Sequence, residues 1–88
     1  MKCKQFHSKN QFLLEGEGKT VFQSYQTIIA KVEGGAVTID TSAEEYSKTT
    51  SKYLYKFLNE YSAETISNKK DLLAAVKEGR IKREDLNA

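Results

Sequence analysis

The sequence has no proline and no tryptophan, and only one cysteine and one histidine. With Cys3 alone no intramolecular disulfide can form, so packing and hydrogen bonds must hold the chain together, as in proteins of a reducing cytoplasm. One cysteine, one histidine and scattered carboxylates give no zinc spacing, and no aspartate-rich loop resembles a calcium site. No metal and no cofactor are expected. No apolar run reaches the roughly 18 residues that a membrane span needs, and the basic start from Met1 to His7 lacks the apolar stretch of a signal peptide. The expectation is a cytoplasmic protein that makes no use of a membrane. The net charge of +2 is too small for bulk charge alone to drive strong nucleic-acid binding.

What is present suffices for one small core. Apolar residues make up 39% of the 88, with five tyrosines and four phenylalanines, which is unlike a disordered chain. A chain of this length forms a single domain over residues 1–88. Stability is modest at this size, and forming a homo-oligomer would add buried surface.

Patterning changes once, near residue 41, from strand-like to helix-like, which predicts an α+β fold. Strands are expected within about 3–40, as a small N-terminal antiparallel sheet of three to four strands. Short runs at Cys3 to His7, Gln11 to Leu14 and Val21 to Tyr25 are separated by turn compositions at Ser8 to Asn10 and Glu15 to Gly18. The clearest pair is Thr27 to Glu33 and Ala36 to Asp40, joined by Gly34-Gly35, where two glycines supply the positive φ of a tight hairpin. Ile28, Ala30 and Val32 would share one face with Val37 and Ile39, leaving Lys31 and Thr38 on the reverse. Two C-terminal helices are expected at about 50–61 and 68–78. In the first, Tyr53, Leu54, Phe57, Leu58 and Tyr61 recur at helical spacing, with Ser47 or Thr49 as cap. In the second, Leu72, Leu73 and Val76 face the core, Ser67 or Asn68 caps, and Gly79 followed by Ile81 reads as a C-terminal stop. Residues 82–88 read as a loose charged tail.

The candidates for chemistry are few. Cys3 and His7, four apart on an extended segment, lie about 13 Å from each other, too far for a nucleophile and its base. Glu44 and Glu45 are adjacent and point to opposite sides, which makes no catalytic pair. The glycine pairs at 16/18 and 34/35 lack the context of a phosphate loop and read as turns. No enzyme is expected. The surface that stands out is the first helix, where Lys48, Lys52 and Lys56 recur every four residues, flanked by Tyr55 and Asn59. Like charges at that spacing repel slightly and do not serve helix stability. Tyr46 and Thr49 stand at the helix entrance among hydroxyls that cap the helix or meet a partner. The expected partner-binding set is Tyr46, Lys48, Thr49, Lys52, Tyr55, Lys56 and Asn59.

Two stretches carry a resemblance: Ser24-Tyr25-Gln26-Thr27-Ile28-Ile29-Ala30, and Tyr46-Ser47-Lys48-Thr49-Thr50-Ser51-Lys52 with Phe57-Leu58. They resemble a family of short proteins of phages, prophages and plasmids of Gram-positive bacteria, over about Phe22 to Ile81. The resemblance implies a mobile-element origin, the bacterial host cytoplasm as location, and an anti-defence role in which the protein occludes a host protein complex, such as a CRISPR or other defence nucleoprotein. The alternative is a small nucleic-acid-binding accessory protein, with the lysines on phosphates and Tyr53 or Tyr55 stacked on a base. A third, a sponge for a small signal molecule, would bind without turnover.

Overall fold

The computed structural model describes residues 2–41 and 48–87. Five strands, β1 (Lys2–Phe6), β2 (Ser8–Gly16), β3 (Lys19–Ser24), β4 (Thr27–Glu33) and β5 (Ala36–Asp40), form an antiparallel meander. Helices α1 (Lys48–Tyr61) and α2 (Lys69–Lys77) follow, and β6 (Ile81–Glu84) returns parallel to β5. The sheet has six strands in sequence order. A parallel return needs a long crossover, and the two helices occupy it.

The α+β class and the two C-terminal helices are as expected, but the sheet is larger than the three to four strands foreseen. Ser8 to Asn10 and Glu15 to Gly16, read as turns, belong to β2. The turns are tighter than their composition suggests: His7 alone (φ 60°) reverses the chain after β1, and Glu17 (φ 52°) with Gly18 (φ 77°) after β2. A non-glycine residue at such φ costs about 1–2 kcal/mol. At His7 this is offset by its ring lying edge-on to Phe6 at 4.4 Å and by Nε2 meeting Glu60 at 2.7 Å near the end of α1. Beside that contact, Lys4 sits 3.2 Å from Glu15, and its pKa is raised by this carboxylate first and by Tyr61 second. Tyr25, expected as the end of a strand, is instead in the β3–β4 turn at φ 56° and stands exposed.

The β4–β5 hairpin turns at Gly34-Gly35 (φ 57° and 83°) and pairs Val32 with Val37, Lys31 with Thr38 and Ala30 with Ile39, as the alternation predicts. Ile28 departs from the expected face. A bulge where β3 meets β4 shifts the register at Phe22/Gln23, so Ile29 and Ala30 are both buried and Ile28 is only half-buried.

The tail is the second correction. Residues 81–84 are a strand, because Ile81 is buried against α2 and the next residues pair with Thr38, Ile39 and Asp40. As an edge strand it shows its charged side chains to solvent, so it carries no alternating apolar signal. Asn87 then completes the sheet locally. Its Oδ1 accepts from the Ile28 amide at 2.8 Å and its Nδ2 donates to the Ile28 carbonyl at 2.9 Å, serving backbone groups of β4 that lie beyond its last pair with β5, Ala30 with Ile39. Asp40 holds this segment, its Oδ1 accepting from the Leu86 amide at 2.9 Å and from Asn87 Nδ2 at 3.1 Å.

The core lies between one sheet face and the helices: Phe6, Leu13, Phe22, Ala30, Val37 and Ile39 from the strands meet Leu54, Phe57, Leu58, Leu72 and Ala75 from the helices. Phe57 of α1 stacks on Phe22 at 5.5 Å between centroids and on Tyr61 at 5.4 Å, while Phe6 meets Phe57 edge-on at 6.2 Å. In α2 the Asn68 side chain caps the start, and Leu72 is buried while Leu73 and Val76 are half-buried. The helix ends as its glycine predicts: Gly79 (φ 81°) donates to the Val76 carbonyl and Arg80 to that of Ala75, and Ile81 folds back into the core.

Truncating Phe57 to alanine leaves a cavity under α1 and is expected to cost about 3–5 kcal/mol in urea unfolding. Asn87→Ala is expected to cost about 1–3 kcal/mol and to speed amide exchange at Ile28 selectively, whereas an unchanged Ile28 rate would show that the tail does not serve the sheet.

Candidate functional site

The stripe expected on the first helix is present and begins at its first residue. Lys48, Thr49 and Lys52 are exposed on α1, and Lys56 is half-buried. Thr49 is inside the helix rather than capping it. Tyr46 and the other cap candidate, Ser47, lie outside the described residues. The first turn of α1 has no acidic residue, so nothing there offsets the lysines. Among the described residues none of Lys48, Lys52, Lys56 and Lys69 has an ion-pair partner; the pairs that form lie elsewhere, at Lys4–Glu15, His7–Glu60, Lys31–Glu33, Arg80–Glu64 and Arg80–Glu78.

The tyrosines are placed differently from expectation. Tyr55, read as an exposed ring, is half-buried and packs against the core. Tyr53 lies beneath two ammonium groups, Lys56 Nζ at 5.6 Å and Lys52 Nζ at 6.0 Å from the ring centroid. Such contacts hold a cation over the ring face that a nucleobase would need for stacking. Asn59, expected to meet a partner, is engaged within the fold. Its Nδ2 donates to the Tyr55 carbonyl at 2.8 Å and the Ile66 carbonyl at 2.7 Å, and its Oδ1 accepts from the Ile66 amide at 2.9 Å.

That amide clamp builds a site that sequence reading misses. By fixing the segment after α1 and letting Ile66 enter the core, Asn59 brings the start of α2 alongside the first turns of α1. The two enclose an open groove of about 650 Å³, lined by Lys48, Ser51, Lys52 and Tyr55 on one side and Ser67, Asn68 and Lys69 on the other. Among the described residues nothing acidic lines it. The spacing of the α1 lysines was visible in the sequence, but Lys69 joins them only through the turn between the helices. The polar ends of the second wall are closed on themselves, with Asn68 Oδ1 accepting from the Asp71 amide at 2.9 Å and Asp71 Oδ2 from the Ser67 amide at 3.0 Å.

Among the described residues no comparable chemistry appears elsewhere. Cys3 is exposed on β1, and His7 is turned to Glu60. Among the described residues no three His, Cys, Asp or Glu side chains come together as metal ligands would, and no helix is long and apolar enough to cross a membrane. Two polar side chains on the core face, Gln11 and Ser24, are paired in register and buried with Gln11 Oε1 and Ser24 Oγ unbonded, which suits one internal water.

The chain belongs to DUF8033, a family of unknown function, whose model matches residues 2–74. The match takes in the N-terminal strands as well as α1 and most of α2. Comparison with curated proteins and with solved structures returned no match.

The clamp is testable. Asn59→Ala leaves the Ile66 backbone groups without partners and is expected to cost about 1–3 kcal/mol, with faster amide exchange at Ile66 to Lys69 and little change in the sheet. Uniform loss of protection would instead make Asn59 a general support of the fold.

Proposed function

We propose that this domain acts by stoichiometric binding, docking the basic face of α1 on an acidic surface of a host protein complex, as a small cytoplasmic inhibitor from a mobile element would occlude a defence assembly. The observation that carries the reading is the set of lysines at 48, 52 and 56 along α1, the first two joined by Lys69 across the groove, with no ion-pair partner among the described residues. Like charges held together without partners weaken a small fold slightly, and an acidic partner turns that repulsion into attraction and faster encounter. Resemblance to small mobile-element proteins supports the inhibitor role, and the scarcity of nucleophile and base pairs supports binding over turnover.

Nucleic acid is the second reading, since the same lysines suit phosphates and successive members rise about 6 Å along the helix. The rings argue for protein instead. Tyr53 has two ammonium groups near its ring, and Tyr55 is half-buried against the core with its open part in the groove between the helices, so the exposed lysine face has no row of free rings on which successive bases of a strand could stack.

Affinity capture with the tagged chain from nuclease-treated host lysate tests the reading. A host complex should be retained after nuclease, and K48E/K52E/K56E should weaken its capture at least about tenfold while Lys82→Glu, on the reverse face, leaves it unchanged. Capture that vanishes with nuclease would move the function to nucleic acid, with a log-log salt slope of roughly −2 to −3 for three phosphate contacts.

A further inference from the structure

The groove between the helices has properties that a flat docking face does not need. Its walls carry positive charge from both sides, Lys48 and Lys52 from α1 and Lys69 from the start of α2. None of the three has an ion-pair partner among the described residues, and Lys52 has, besides the groove, a cation–π contact with the Tyr53 ring at 6.0 Å. The hydroxyls of Ser51 and Ser67 also line it, and neither is in a hydrogen bond among the described residues. Tyr55, immobilised by its packing on the core, supplies a rigid aromatic wall. At about 650 Å³ the space exceeds one phosphate and falls in the range of small-molecule sites.

From this convergence we propose that the groove is a binding site for a diphosphate, either free or carried by a nucleoside. Two cationic walls match an anion with more than one charged centre better than a monoanion, because each added charge meets its own ammonium group. At the start of α2 the Ser67 and Asp71 amides are already engaged, by Asp71 Oδ2 and Asn68 Oδ1 respectively, so the contacts assigned to the ligand are those of the side chains. The hydroxyls would complete the oxygen contacts, and Tyr55 would meet the nucleoside ring where one is attached. The inference shares Lys48 and Lys52 with the docking face and rests on that reading only in taking this surface as the one that binds.

The test titrates the isotope-labelled full chain with inorganic pyrophosphate, ADP and adenosine in separate arms, following the amide resonances of Ser51, Lys52, Tyr55, Ser67 and Lys69. Saturable shifts at these residues are expected with pyrophosphate and ADP. Lys69→Ala should weaken binding at least about tenfold, while Lys77→Ala, at the far end of α2, should change it less than about twofold. ADP binding more tightly than pyrophosphate would assign the site to nucleotides, with the ring on Tyr55; equal affinity would assign it to the diphosphate alone. Absence of saturable shifts in both phosphate arms, binding of adenosine without pyrophosphate, or equal losses from the two lysine variants would overturn the proposal. Because the titration uses the isolated chain, a negative result leaves capture of a protein complex to be judged by its own experiment.

Discussion

The stack of Phe57 on Phe22 is the contact on which the remaining arrangement depends. It sets α1 against the middle of the sheet, with Leu54 and Leu58 buried on either side of it. With that helix face committed inward, the residues at 48, 52 and 56 have nowhere to go but outward. Phe6 and Tyr61 extend the aromatic cluster to the first strand, so the N-terminal hairpin and the end of α1 are held by one set of rings. A small core with few layers gains stability by concentrating contact area in large rings.

The helical half was largely legible from sequence. Leu54, Phe57 and Leu58 showed their spacing, Gly79 and Ile81 marked the end of α2, and Gly34-Gly35 marked the hairpin, each because a local physical rule leaves few alternatives. The sheet was less so. Its turns after β1 and β3 rest on His7 and Tyr25 at positive φ, which residue type does not announce. β6 is charged because it lies at an edge, and its membership depends on partners about 40 residues earlier in the chain. The bulge that turns Ile28 off the core face follows from how β3 and β4 pair, not from either strand alone.

The site divides in the same way. Lys48, Lys52 and Lys56 were visible as a four-residue period, whereas the joining of the first two with Lys69 depends on Asn59 clamping Ile66, a contact between a side chain and backbone seven residues on. Tyr55 and Asn59 show why a surface list from periodicity is only a start: the first packs inward and the second bonds to the fold. What survives is a basic surface with an adjoining groove, in a family whose shared function is open. Such a surface suits the proposed anionic partners, and the engagement of Tyr53 and Tyr55 suits protein acids or a single diphosphate better than a strand of stacked bases.

Amide exchange on the complex with whichever host assembly is captured decides whether the basic face of α1 is the docking surface. Protection is expected over residues 48–56 and 67–69, with the reverse face of the sheet around Phe12, Leu14 and Val21 unchanged. Protection confined to that reverse face or to the exposed Tyr25 turn, with α1 exchanging as in the free chain, would contradict it.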